Sequence, residues 1–173
     1  MEALENLLVK SAIVLDYPAK DAQDVITQLG TRLYEAGYTK ESFVQGALER
    51  EKTMPTGLQL MGDINAAIPH TDIEHVLKPG VAFATLTNPV RFQNMANPED
   101  EVDISLVFLL ALDQPKAQIG MLQQIAGILQ KRSLLILMLR GNEELMKIPM
   151  ASFANISLRV LTSRIYPRMT FVM

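Results

Sequence analysis

The chain has 173 residues, of which 49% are hydrophobic and 20% are charged, and its formal net charge is −3 at pH 7. This length predicts a single domain, covering residues 1–173, with a sizeable core. The charge gives no basic surface for nucleic acid or anionic lipid, and the absence of cysteine excludes disulfides, thiolate zinc sites and cysteine nucleophiles.

Two helices are predicted in the first third of the chain. Apolar residues recur at helical spacing between residues 19 and 36, and a glycine follows as a stop. A second helix is expected to run from a cap at Thr39 to about residue 52, with an inner face of Phe43, Val44, Ala47 and Leu48. The stretch Met54-Pro55-Thr56-Gly57 then ends this helix and begins a loop.

Strands are predicted in the middle of the chain. Residues 65–69 are apolar and end in proline, which predicts a short strand that delivers His70 to a strand end. Residues 81–86 read as another strand, and residues 90–92 are expected to start or finish a hairpin after a turn at Asn88-Pro89. Residues 104–112 are almost continuously apolar, which is typical of a central strand covered on both faces.

Helices are predicted again after the central strand. One begins at Gln114-Pro115 and has an apolar stripe of Ile119, Leu122, Ile125, Ala126 and Leu129. Residues 134–139 favour another helix, because their flanks read as a loop and a C-cap. Residues 151–173 are interpreted as either a terminal strand or a packed extension.

Targeting and membrane signals are absent from this sequence. Residues 1–10 lack the basic start and the unbroken apolar stretch of a secretory signal. The apolar runs at residues 104–112 and 134–139 fall far below the roughly 20 residues that cross a bilayer. We therefore expect a cytoplasmic protein without direct membrane insertion.

The chain has only two histidines, His70 and His75, which stand five residues apart. That separation places the two rings about 140° apart on a helix and on opposite faces of a strand. A shared metal would need a turn between them and a third ligand from elsewhere; the matching function is a zinc-dependent hydrolase using His70, His75 and Asp72. The alternative without a function is that both histidines are structural, either at the surface or in the core with their ring nitrogens hydrogen-bonded.

His70 also has the features of a nucleophile. A histidine after proline at the end of a short strand is held rigidly at an exposed edge, and an ordinary pKa of about 6.5 leaves much of it neutral. A phosphoryl group on its ring needs cationic or hydrogen-bonding donors around the oxygens. Arg50 can supply a planar fork of donors, although an arginine in such a charged string is commonly part of a solvated face.

Residues 47–72, ALEREKTMPTGLQLMGDINAAIPHTD, resemble the active-site signature of the mannitol/fructose-type enzyme IIA family of the bacterial sugar phosphotransferase system. The matching pieces, in order, are a REK string, a P-T-G turn and a short strand ending in A-I-P-H. The resemblance covers about residues 5–150 and leaves the tail unsupported. It implies an α/β fold of the mannitol enzyme IIA type, a three-layer mixed β-sheet flanked by helices.

The resemblance implies a phosphocarrier. It accepts a phosphoryl group from the histidine-containing phosphocarrier protein HPr and passes it to a cysteine of a cognate enzyme IIB, and through it serves a membrane enzyme IIC. By position, His70 corresponds to the phosphorylated histidine and Arg50 to the arginine that contacts the phosphoryl group. No metal or cofactor is required, and the receiving thiolate must belong to another chain or domain, because this sequence has no cysteine.

The sequence departs from the mannitol type at one site position. Where that type has a second active-site histidine, this chain has Gln118, whose amide can donate to a phosphoryl oxygen or to the His70 ring but cannot shuttle a proton. Together with a second histidine at position 75, this glutamine is similar to galactitol-type members and favours a galactitol-like sugar alcohol. His75 either orients a phosphate or a partner or is an exposed structural histidine; Thr56 either hydrogen-bonds near the site or caps a turn.

A regulatory protein with the enzyme IIA fold is the alternative function. Like the nitrogen-regulatory branch, such a domain would signal its phosphorylation state by binding another protein. The sequence contains no helix-turn-helix extension or basic patch that would bind DNA directly. The sugar, the cognate enzyme IIB and the oligomeric state stay open.

Overall fold

The computed structural model describes residues 4–60 and 62–131, which form a five-stranded mixed sheet with helices on both faces. In chain order the elements are α1 (Leu4–Leu7), β1 (Leu8–Tyr17), α2 (Ala22–Glu35), α3 (Phe43–Thr53), β2 (Gly57–Leu58), β3 (Ala66–Ala67), a 3-10 helix (Ile73–His75), β4 (Gly80–Gln93), β5 (Glu101–Ala111) and α4 (Pro115–Leu129). The strand order across the sheet is β1-β4-β5-β3-β2.

β5 lies in the middle of the sheet, and its nearly continuous apolar part from Ile104 to Ala111 is buried on both faces. Its alternate side chains enter two cores. Val107 and Leu109 pack on the side of α2 and α3, and Leu106 and Phe108 pack on the side of α1 and α4. Phe108 contacts Phe83 of β4, with ring centroids 4.8 Å apart. This arrangement confirms the predicted central strand and the three-layer α/β fold.

The two helices predicted before the loop at residues 54–57 are both present. α2 begins after Asp21, whose side chain accepts a hydrogen bond from the backbone N of Asp24. α3 ends at Thr53, directly before the predicted break. Of the predicted inner face of α3, Phe43 and Ala47 are fully buried.

The predicted helix cap at Thr39 is wrong. α3 begins at Phe43, after Ser42. Thr39 instead pairs its backbone with Val76 in an isolated antiparallel β-bridge, and its side chain is buried. Pairing with the distant chain at Val76 therefore overrides the local capping preference of threonine.

The predicted turn at Asn88-Pro89 is also wrong. β4 runs through this dipeptide as one strand and pairs antiparallel with β5 on both sides of it. The register of the pairing shifts between Thr85 and Val90, so the proline occupies an irregularity in the ladder where no donor is needed. The hairpin partner of β4 is β5.

β1 is absent from the sequence-based prediction. It pairs in parallel with β4 at an edge of the sheet, and its register shifts twice. Its burial follows no regular alternation, because Lys10, Ser11 and Asp16 interrupt the apolar residues. Neither of the usual periodic signals of a strand is therefore present.

α4 begins at Pro115 as predicted and buries only part of the predicted stripe. Its buried apolar side chains are Met121, Ile125, Ile128 and Leu129, of which Ile125 and Leu129 belong to that stripe, whereas Ile119 is 62% exposed. Apolar residues surround most of this helix, so periodicity does not single out one face. Within the described ranges, no helix is both long and apolar enough to cross a bilayer. The predicted helix at residues 134–139 and the tail 151–173 lie outside these ranges, and the single domain over residues 1–173 stays a prediction.

Gly57 begins β2 and lies against the end of β4. A Cβ at this position would stand 2.6 Å from the backbone O of Gln93, which cannot turn away as a side chain does. We expect Gly57→Ala to lower the free energy of unfolding by about 1–3 kcal/mol in urea denaturation, because the strands must separate. Gly127→Ala is the control, since apart from its chain neighbours and the backbone of its own helix no described atom lies within 4 Å of its Cβ. Equal stability of the two variants would contradict the prediction.

Candidate active site

His70 follows β3 at the end of the sheet where the carboxyl ends of the parallel strands β3 and β5 lie. β3 runs parallel to β5, and the parallel pairing extends past β3 to place His70 opposite Leu110. The backbone N of Leu110 donates to Pro69 O at 2.9 Å. The central strand of the sheet therefore fixes the backbone that carries the His70 ring.

One nitrogen of the His70 ring is engaged by the backbone. Nδ1 lies 3.1 Å from the carbonyl O of Ile68. Because a carbonyl oxygen only accepts, Nδ1 carries the proton in this contact, and Nε2 of the neutral ring has the free lone pair. The short segment that delivers His70 thus also selects its tautomer.

Burial lowers the pKa of His70 below its ordinary value of 6.5. The positive charge of Arg50 acts in the same direction, whereas the hydrogen bond to Ile68 O and the charge of Asp72 raise this pKa. Burial dominates because the imidazolium form loses more hydration than the neutral ring. The neutral, nucleophilic form therefore prevails at pH 7.

We expect the His70 ring to titrate below 6.5 in an NMR pH titration. Between the lowered folded pKa and 6.5, the unfolded chain binds a proton that the folded ring does not, so the free energy of unfolding falls as the pH drops through this window. His70→Gln should remove this part of the pH dependence in urea denaturation. A ring pKa above 6.5 would contradict the prediction.

Arg50 lies in the last turn of α3 and reaches the segment after His70. Its Nη1 donates to Asp72 Oδ1 at 3.1 Å, and its side chain is 28% exposed. Within the described part of the chain, Arg50 Nε is buried and has no hydrogen-bond partner. Since a guanidinium carries five N–H donors, the contact with Asp72 orients the fork and leaves donors for a further acceptor.

Thr56 is bound by Glu51, a residue that the sequence did not single out. Its backbone N and its hydroxyl donate to the two carboxylate oxygens of Glu51, at 2.9 and 2.7 Å. Thr56 is 2% exposed. Burial raises the pKa of Glu51 to about 7, against the lowering effect of both hydrogen bonds from Thr56. The hydrogen bonds between Glu51 and Thr56 connect the end of α3 to the start of β2.

His75 packs against α3. Its Nδ1 lies 2.9 Å from Ser42 Oγ, and its Nε2 lies 3.4 Å from Glu74 Oε1. A Cβ added to Gly46 would stand 2.9 Å from Nε2, so the ring fills the space over that glycine. Both ring nitrogens thus face groups other than His70. Across residues 4–60 and 62–131, no three histidine, aspartate or glutamate side chains are grouped to hold a metal ion.

Gln118 is the fourth residue of α4, the helix that follows β5 at the His70 edge of the sheet. Its side chain lies outside the described part of the chain, and its contact with a phosphoryl group stays a prediction.

Residues 6–148 match the sequence profile of the family described as "Phosphoenolpyruvate-dependent sugar phosphotransferase system, EIIA 2". The chain belongs to this family. It is therefore a phosphotransferase component, an EIIA phosphocarrier of a sugar phosphotransferase system. The match confirms the resemblance inferred from residues 47–72.

Individual EIIA proteins agree with this assignment. The chain is 30% identical over 128 residues to the galactitol-specific EIIA component of Escherichia coli K12, a match covering 74% of this chain and 81% of that protein. The crystal structure of IIA mannitol from Escherichia coli superposes with a TM-score of 0.66 at 27% identity, covering 80% of this chain and 98% of that one. The Escherichia coli mannitol enzyme IIA in complex with phosphorylated enzyme IIB superposes with a TM-score of 0.56 at 26% identity, covering 78% and 98%.

Proposed function

We propose that this EIIA carries its phosphoryl group on Nε2 of His70. The observation that carries the proposal is the contact between His70 Nδ1 and Ile68 O, which leaves Nε2 as the nitrogen with a free lone pair. The positive charge of Arg50 acts on the His70 ring, and its guanidinium has a donor without a partner among the described residues. Both observations support the same assignment.

In the first step, the Nε2 lone pair attacks the phosphorus of the phosphohistidine of HPr. A new N–P bond forms in line with the breaking one, and the electron pair of the broken bond returns to the HPr imidazole. Attack places positive charge on the His70 ring. The hydrogen bond from Nδ1 to Ile68 O stabilises that charge, and no proton has to move.

Arg50 supplies the donors for the phosphoryl oxygens. Asp72 fixes the direction of the guanidinium through Nη1, while Nε and the remaining Nη donors bind equatorial oxygens. The Gln118 amide adds a neutral donor. Charge that develops on these oxygens during transfer is thereby stabilised without a metal ion.

In the second step, a cysteine thiolate of the cognate enzyme IIB attacks the phosphorus. The S–P bond forms as the His70 N–P bond breaks, and its electron pair returns to Nε2. The complex of the related mannitol enzyme IIA with phosphorylated enzyme IIB supports this partner. Enzyme IIB in turn acts with a membrane enzyme IIC. The EIIA itself works in the cytoplasm.

The sugar we propose is a galactitol-like sugar alcohol. The 30% identity to a galactitol-specific EIIA component supports this assignment. Glutamine at position 118 and the second histidine at position 75 agree with it.

Phosphate labelling tests the function directly. The chain is incubated with labelled phosphoenolpyruvate, the general phosphotransferase enzyme and HPr, and we expect acid-labile, base-stable phosphate on it. Addition of a galactitol enzyme IIB should then remove the label. Absence of label, or an acid-stable label, would contradict the proposal; label retained against every enzyme IIB would favour the regulatory alternative.

A further inference from the structure

Glu51 and Thr56 form a partly buried contact that the proposed transfer does not use. We propose that Glu51 is a positioning residue, which holds Thr56 and thereby fixes the backbone segment that orients the His70 ring. Its effect on transfer rests on the function proposed above, whereas its effect on the His70 tautomer does not.

A continuous series of hydrogen bonds joins Glu51 to His70. Thr56 donates through its N and its Oγ to the two oxygens of the Glu51 carboxylate, at 2.9 and 2.7 Å. The carbonyl of Thr56 accepts from Ile68 N at 3.4 Å, and the carbonyl of Ile68 accepts from His70 Nδ1 at 3.1 Å. A displacement of Thr56 therefore reaches the acceptor that selects the reactive nitrogen.

The pairing of β2 with β3 runs alongside this series. Gly57 follows Thr56 and pairs with Ala67, which directly precedes Ile68. β2 and β3 are only two residues long, and the other side of β2 has one isolated bridge, between Gly57 and Asn94, so few backbone hydrogen bonds hold β2 in place. The contact with Glu51 anchors the start of β2, and with it the outer side of the segment that carries His70.

Glu51 is also the neighbour of Arg50 in α3. Consecutive residues of a helix project about 100° apart, and here Arg50 reaches Asp72 while Glu51 reaches Thr56. The end of α3 is thus tied to positions on both sides of His70 in the sequence. These two ties set the separation between the guanidinium and the ring, and a misplacement of about 1 Å in such an arrangement costs roughly 10²-fold in rate.

Burial makes the charged form of a carboxylate unfavourable at position 51. Burial raises the pKa of Glu51 to about 7, and the charged groups that share its cavity are Lys52, Arg91 and Glu101, of which Arg91 and Glu101 pair with each other at 3.2 Å. Apolar side chains of similar size would fill the space without this penalty. An apolar side chain, however, offers no hydrogen-bond partner to the backbone N and the hydroxyl of Thr56, which the two carboxylate oxygens of Glu51 bind at once.

The test compares three substitutions in α3. Glu51→Ala removes both acceptors; Glu51→Gln keeps the shape, since its amide accepts from Thr56 N and donates to Thr56 Oγ. Glu49→Ala is the matched control, because Glu49 is exposed on the same helix and bonds Gln45. The readouts are the ¹⁵N chemical shifts of the His70 ring in the unphosphorylated protein and the single-turnover rate of transfer from phospho-HPr.

We expect Glu51→Ala to lose the preference for protonated Nδ1 and to slow transfer at saturating phospho-HPr by about 10- to 100-fold. The half-saturating HPr concentration should not change, because both carboxylate oxygens of Glu51 bind Thr56 within the chain. Glu51→Gln should restore both readouts, and Glu49→Ala should match the unmodified protein. Wild-type ring shifts and rate in folded Glu51→Ala would overturn the proposal, as would an equal loss in Glu49→Ala.

Substitutions of Thr56 decide the matter if Glu51→Ala does not fold. Thr56→Val removes the hydroxyl donor, and Thr56→Ser retains it. We expect altered ring shifts and slower transfer in the first variant only; identical behaviour of both would overturn the proposal. If the unmodified chain takes up no phosphate on His70, the proposed function fails, while the ring shifts still decide the role of Glu51.

Discussion

His70→Gln is expected to abolish acid-labile labelling of the chain by phosphoenolpyruvate and HPr, with a loss of at least about 10⁴-fold in the transfer rate. Glutamine keeps a polar side chain at this half-buried position, but its amide nitrogen has no available lone pair to attack phosphorus. Single-turnover transfer from labelled phospho-HPr measures the effect.

The matched control is His75→Gln, which changes the only other histidine of the chain. The ring nitrogens of His75 face Ser42 and Glu74, so we expect labelling of this variant at the wild-type level. Label that is lost in His75→Gln and retained in His70→Gln would reverse the assignment of the phosphorylated residue.

Arg50→Ala is expected to slow transfer by about 10² to 10³-fold, the range for removal of one preorganised donor to a transition state. Arg50→Lys should recover only part of the rate, because an ammonium restores the charge without the planar fork that Asp72 orients. Rapid-quench measurement at saturating phospho-HPr separates this loss from weaker docking.

Lys52→Ala provides the comparison for Arg50, since it removes an exposed positive charge from the same turn of α3. Its rate should stay close to that of the unmodified protein. An unchanged rate in Arg50→Ala would reduce Arg50 to a surface charge paired with Asp72.

The parts of the fold predicted correctly are those with strong local signals. The long apolar run of β5, which follows a turn-rich stretch, is typical of a strand buried on both faces, and the periodic residues of α2 are typical of an amphipathic helix. β1 escaped prediction because an edge strand with interrupted burial has no such pattern. Thr39 and Pro89 were misjudged because strand pairing with distant residues overrode their local preferences.

The sequence likewise predicted some residues of the candidate site and missed others. His70 and Arg50 were predicted as site residues because their residue types and the surrounding motif point to phosphoryl chemistry. The partners of these residues were not: Ile68 acts through its backbone, and Glu51 stands in a charged string that reads as a solvated face. Its partner Thr56 lies beyond the Pro55 turn, so only the folded chain brings the two together.

The acceptor for His70 Nδ1 is a main-chain carbonyl, which every amino acid at position 68 would provide. Saturation mutagenesis of Ile68 would therefore report on its buried side chain, which packs in the core on the α1 and α4 side of the sheet. The course of the backbone therefore sets which nitrogen of the His70 ring is protonated, and the same contact can form in relatives whose side chains at this position differ. Relatives with the same backbone course would then share the protonated Nδ1, whichever amino acid they have at position 68.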